Sequence, residues 1–154
     1  MERLKDRKGT LMESKYRVGH IAFVVQDLDA AMDFMKSIGA EVSEKKQFEN
    51  NKHDLNDADH WTVTYCKGKL GALGFEIFHP DGPGTPYSEF LEKIGGGIHH
   101  MSFDDLGDDI EAMRDDLLSK GARQISSAES RKYGLMACYM DLPALSGTIV
   151  ELKK

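Results

Sequence analysis

Four residues of this chain have both the side chains and the surroundings for metal chemistry: His20, Glu76, His100 and Glu151. Each lies in a short run that alternates apolar and polar residues as a strand does. In the first run Ile21, Phe23 and Val25 share one face, so His20 and Ala22 point to the other. Around the second histidine Met101 and Phe103 mark the apolar face and take His99 with them, which leaves His100 and Ser102 opposite. Phe75 and Ile77 flank Glu76, and Val150 and Leu152 flank Glu151, so each carboxylate points off the apolar face of its strand. A buried mid-strand carboxylate is expensive unless it is paired or binds a cation. Two imidazoles and two carboxylates suit one borderline or hard divalent ion, such as Co, Ni, Zn or Mn, with a position left open to water or a substrate.

Taken singly, a histidine at a strand start or a glutamate in mid-strand ordinarily has a plain structural role, facing either the core or solvent. What lifts this set is that its members occupy equivalent places in a repeated pattern. A β-rich run from Val18 to Val25 leads through Asp27 into a helical stretch with Leu28, Ala31, Met32 and Met35 that stops at Gly39. Strands are then expected at 41–47, 61–66 and 73–78, with a polar loop over 49–59. After a turn-rich stretch and a short helix over 88–93, Gly95-Gly96-Gly97 opens a new strand at 98–103. A helix with Ile110, Met113, Leu117 and Leu118 follows, is stopped by Gly121, and gives way to strands near 123–126, 135–140 and 147–152. Both halves read βαβββ, and their openings, His20-Ile-Ala-Phe and His100-Met-Ser-Phe, correspond.

The expected fold is therefore α+β. Two βαβββ modules, over 17–80 and 98–154, build curved mixed sheets around a cleft, with the four ligand-type side chains on a face free of helices. Residues 1–16 read as a loose tail, and the connector over 81–97 has the Gly and Pro content either of a loop and short helix that close one end of the cleft or of a plain linker between the modules.

Composition narrows the function classes. The chain has 154 residues, 40% hydrophobic and 30% charged, an ordinary balance for a chain that folds alone. Its formal charge of −6 and scattered Lys and Arg argue against nucleic-acid binding. Cys66 and Cys138 sit in apolar or strand-like runs and are expected to be buried free thiols of a reducing compartment, the cytoplasm. No secretory signal is apparent at the start, and no run nears the ~18 apolar residues of a membrane helix.

Several stretches resemble the vicinal-oxygen-chelate (glyoxalase/bleomycin resistance/dioxygenase) superfamily, and within it most of all the methylmalonyl-CoA epimerase family. They are His20-Ile-Ala-Phe-Val-Val-Gln-Asp-Leu28, Phe75-Glu-Ile-Phe-His-Pro80 followed by Gly84-Thr-Pro-Tyr87, Phe90 to Phe103, and Gly147-Thr-Ile-Val-Glu151. The Phe90 to Phe103 stretch is the specific one. The resemblance implies paired βαβββ modules, usually in a homodimer, with metal at His20, Glu76, His100 and Glu151. It also implies an acyl-CoA substrate whose thioester and carboxylate oxygens meet the metal, and two acid/base groups on opposite faces of the reacting carbon. Glu151 matches one of them. The other is typically a glutamate followed by Gln-Gly ahead of the third strand, and this sequence has Asp59-His60-Trp61 there. Either His60 or Asp59 replaces it, since imidazole titrates near neutrality and a carboxylate can be tuned upward by burial, or the stretch is a solvated loop and the second base is absent.

The reading that follows is a metal-dependent isomerase moving a proton α to a carbonyl. Its rivals are a lactoylglutathione lyase acting on a hemithioacetal with the same four ligands, and a non-catalytic small-molecule-binding protein of the same fold. A dioxygenase would use two histidines and one carboxylate around Fe(II), and Glu76, as a fourth ligand, argues against it.

Overall fold

The computed structural model describes residues 14–50 and 60–154. Residues 1–13 of the expected tail and Asp59 lie outside that range. Strand β1 (Val18–Val24) enters helix α1 (Leu28–Ser37) through Asp27, whose carboxylate accepts the Ala30 backbone N–H at 2.9 Å. Apolar residues at 28, 31, 32 and 35 give α1 one buried stripe, which packs on Phe23, Cys66, Phe75 and Ile77. The strand expected at 41–47 is split into β2 (Glu41–Val42) and β3 (Lys46–Glu49), both paired with β4 (Thr62–Leu70). Then come β5 (Leu73–Pro80), helix α2 (Pro86–Ile94) and β6 (Gly97–Phe103). Thr85 and Ser88 form a reciprocal capping box at the start of α2, and Gly95 ends the helix at φ 89°, a left-handed conformation that glycine adopts without steric cost. A 3₁₀ turn leads into α3 (Ile110–Ser119), and β7 (Arg123–Ser130), β8 (Gly134–Leu142) and β9 (Thr148–Lys153) complete the chain.

The nine strands among the described residues join one sheet in the order β2-β4-β5-β1-β6-β9-β8-β7, with β3 also on β4. Each half repeats the same arrangement. Its opening strand pairs in parallel with its last one, β1 with β5 and β6 with β9, and the two halves meet where β1 and β6 run antiparallel. Helices α1 and α3 cover one face, α3 through a core of Ile110, Met113, Leu135, Cys138, Met140 and Leu152. Tyr16 packs on that core against Phe103 and hydrogen-bonds to Asp116.

The opposite face carries the four ligand-type residues, but it is not free of helix. Tyr87, Phe90 and Leu91 of α2 pack there with Ala22, Val24, Val63 and Phe78. The position of His99 also differs from strict alternation. Between Ala22 and Phe23 the β1/β6 register slips by one, making His99 the extra residue of a bulge. Its ring accordingly turns to Tyr87 and Phe90 of α2, with centroids 5.2 and 5.0 Å away, on the side shared with His100. Among the described residues no helix is long and apolar enough to cross a membrane.

Ile77 lies 2% exposed under α1, beside Glu76. Ile77→Ala is expected to lower the unfolding free energy by about 2–5 kcal/mol, the usual cost of deleting a buried aliphatic side chain. Urea denaturation of the two proteins checks this.

Candidate metal centre

The four ligand-type residues come from four adjacent strands, β5, β1, β6 and β9. Register explains how side chains from non-neighbouring strands meet. Across β1 and β6, His20 lies opposite Ser102 and Ala22 opposite His100. Ala22 is also level with Glu76, and Ser102 with Glu151. Each large polar residue thus has a small neighbour, and Ala22 and Ser102, both 0% exposed, leave the room into which the larger groups converge. Ligand atoms of His20, His100 and Glu151 all lie within 4.8 Å of one another. Glu151 Oε2 is 3.5 Å from His20 Nε2 and 3.4 Å from His100 Nε2, and Glu76 Oε2 is 3.5 Å from His20 Nε2.

The nitrogens themselves test the fit of a cation. His20 Nε2 and His100 Nε2 are buried, aimed at carboxylate oxygens, and have no hydrogen-bond partner among the described residues. Buried polar atoms are nearly always satisfied, so two unsatisfied imidazole nitrogens facing two buried carboxylates fit a cation between them.

Electrostatics support the same picture. Burial alone would lower the His20 pKa, yet the hydrogen bond to Asp104 and the charges of Glu76, Asp104 and Glu151 raise it above the ordinary value. Burial would raise the Glu151 pKa, but the close imidazole of His100, with Lys153 and His20, holds it below the usual range. Tyr139, directly across from Glu151 in the β8/β9 register, keeps its phenol proton. Burial, Tyr87 and Glu151 push its pKa far up.

Sequence parity alone did not find Lys67, Asp104, Tyr139 or a role for His99. Lys67 stands across from Glu76 in the β4/β5 register, with Nζ 3.1 Å from Glu76 Oε1, and Lys153 Nζ is 3.8 Å from the same oxygen. Burial works to lower the Lys67 pKa, but Glu76 raises it. Asp104 accepts from His20 Nδ1 at 2.7 Å. One signal for Asp104 was legible, since His20 to Asp27 spans seven positions and His100 to Asp105 only five. The shorter second opening brings an acid to the end of β6. His60 sits at the exposed entry to β4, its Nε2 3.7 Å from Glu49 Oε2. A cavity of about 650 Å³ opens beside the centre, lined by His20, Glu76, Lys67, Asp104 and Lys153 among others.

Residues 19–139 match the Glyoxalase/Bleomycin resistance protein/Dioxygenase superfamily. The chain belongs to that superfamily. It is 34% identical over 142 residues to an ethylmalonyl-CoA/methylmalonyl-CoA epimerase of Cereibacter sphaeroides, an alignment covering 90% of this chain and 97% of that one. Against the human mitochondrial methylmalonyl-CoA epimerase it is 30% identical over 141 residues, covering 90% and 73% of the two chains. The crystal structure of methylmalonyl-CoA epimerase from Mycobacterium tuberculosis shares the fold, with a TM-score of 0.66 at 19% identity over 92% of this chain and 91% of that one. A methylmalonyl-CoA epimerase in complex with methylmalonyl-CoA and NH4+ superposes with a TM-score of 0.62 at 23% identity, covering 90% and 94%. The superfamily and the paired-module α+β fold expected from the sequence are thus borne out.

Metal affinity in this chain should depend on pH in a definite direction. Ligand imidazoles must be neutral, so a cation competes with a proton that the surrounding carboxylates hold on His20. Affinity should rise as pH climbs through that raised pKa, beginning its fall on acidification above the ordinary histidine midpoint near ~6.5. In the metal-free protein the sign reverses: the stability His20 contributes is fully present below the ordinary value and is lost as pH rises through the raised one. Chelator-competition titrations with Co²⁺ across this range, beside thermal melts of the metal-free protein, check both. A pH-independent affinity would contradict the assignment of His20.

Proposed function

We propose that this chain is a metal-dependent epimerase that moves the proton α to the carbonyl of an acyl-CoA thioester of the methylmalonyl-CoA type. The observation that carries the reading is the convergence of His20, His100 and Glu151, with Glu76 beside them, in a chain whose relatives are epimerases of such thioesters. A divalent ion, Co, Ni, Zn or Mn, held by His20, Glu76, His100 and Glu151 would supply positive charge where the carbonyl oxygen becomes negative, worth roughly several kcal/mol.

The chain's own groups do the rest. Glu151 is kept ionised, in the form that accepts a proton, and Tyr139 presents its phenol to that carboxylate. As both ligand and base, Glu151 would take the α proton from one face of the carbon. The second face needs a donor. Lys67 lies at the Glu76 side of the centre, is held protonated there, and lines the cavity. His60, at the entry to β4, is the other candidate for that role. The buried aromatic wall of Phe78 and Tyr87 excludes water from α2's end of the face. The reading includes a cytoplasmic homodimer, and sedimentation velocity tests the dimer.

Solvent-deuterium incorporation decides the chemistry. Wild type with added Co²⁺ or Ni²⁺ should place deuterium at the α carbon of methylmalonyl-CoA. Glu151→Gln should lose both metal affinity and exchange, while loss of the second acid/base group should cost roughly 10²–10⁴-fold in rate with metal retained. Comparing Lys67→Met with His60→Ala identifies that group. Exchange confined to a glutathione hemithioacetal would move the assignment to a lactoylglutathione lyase. No exchange with either substrate class would leave a binding protein.

A further inference from the structure

Both ligand histidines are preceded by an irregularity in the same strand pair. The β1/β6 register slips at Gly19, just before His20, and again at His99, just before His100. Bulges of this kind re-aim neighbouring side chains. Here each one brings a hydrogen-bonding partner to the far nitrogen of its histidine.

At His20 the partner is Asp104. Its Oδ2 is 2.7 Å from Nδ1, and its Oδ1 accepts the hydroxyl of Ser102, which is fully buried. Gly19 makes this approach sterically feasible, since a Cβ there would come within 2.4 Å of Asp104 Oδ2. At His100 the partner is the bulged residue. His99 Nδ1 lies 2.8 Å from His100 Nδ1, and Tyr87 and Phe90 clamp the His99 ring. A carboxylate can only accept, so Asp104 places a proton on His20 Nδ1. Between two imidazole nitrogens one must donate. For His100 Nε2 to offer its lone pair to the centre, the shared proton belongs to His100 Nδ1, and His99 Nδ1 accepts it.

We infer that Asp104 and His99 are positioning residues that fix His20 and His100 as Nδ1–H tautomers, leaving both buried Nε2 atoms bare and aimed at the same point. Each acts through its histidine, as outer partners of metal-bound imidazoles do. The two supports also differ in kind: an anion stands behind the ligand from the first module, and a neutral ring behind the ligand from the second. The inference rests on the metal reading proposed above.

The test begins with metal-free, ¹⁵N-labelled protein at a pH where every imidazole is neutral, so the tautomers are read whether or not a metal binds. Long-range ¹⁵N–¹H spectra should show His20 and His100 protonated on Nδ1. In Asp104→Leu only His20 should shift to the Nε2–H form, and in His99→Phe only His100 should. Asp104→Asn and His99→Asn, whose Oδ1 atoms take the accepting place, should retain the wild-type tautomers. Co²⁺ affinity by chelator competition should fall roughly 10- to 100-fold in the Leu and Phe variants and recover most of the way in the two Asn variants. Thermal melts identify any variant that has failed to fold, and for such a site the Asn variant decides by the same readouts. Wild-type histidines protonated on Nε2, or Leu and Phe variants that are folded and bind Co²⁺ as wild type does, would overturn the inference. Folded wild type with the stated tautomers that takes up no Co²⁺ would overturn the metal reading, and the positioning role with it, whereas wrong tautomers with tight Co²⁺ binding would overturn the positioning role alone.

Discussion

Two carboxylates and two imidazoles share a buried face at the centre of one sheet, and much of the architecture follows from making that tolerable. Isolated ionised groups would be prohibitive to bury, and even paired ones need good geometry and extra hydrogen bonds. The sheet answers with position. Small residues, Ala22 and Ser102, alternate with His20 and His100 across the central strand pair, so the charged groups converge where the packing leaves room. Lys67 and Lys153 meet the outer oxygen of Glu76, and Asp104 stands behind His20.

The duplication makes this arrangement accessible, and the two halves then depart from one another. In the first, Glu76 faces a cavity and a pair of lysines. In the second, Glu151 is enclosed by His100 and Tyr139. Equivalent strands therefore present equivalent carboxylates in unequal surroundings, one next to a reservoir of positive charge and the other in a closed, polar recess.

The same departure appears at the histidines. Strict alternation treats His99 as a residue of the opposite face, and a regular β1/β6 pairing would have kept it there. The bulge rotates it toward α2, and the aromatic residues of that helix hold it. Helix α2 thereby connects the connector's sequence to the centre: it closes one end of the face and also immobilises the ring beside His100.

Period and residue type were enough to read the two βαβββ modules, the amphipathic stripes of α1 and α3, and the side of the strand on which His20, Glu76, His100 and Glu151 lie. Those features depend on near neighbours, and alternation on a strand or recurrence on a helix is written into local order. The split of the second strand, the bulges at Gly19 and His99, the placement of α2 on the ligand face, and the pairings Lys67 with Glu76 and Tyr139 with Glu151 were decided by tertiary structure. Each depends on which strands become neighbours and in what register, and a one-residue slip in register exchanges the faces of a strand without altering its sequence. Asp104 shows the boundary between the two: its presence at the end of β6 was legible as a shortened second opening, but only the β1/β6 pairing, and the missing Cβ of Gly19, put its carboxylate on His20.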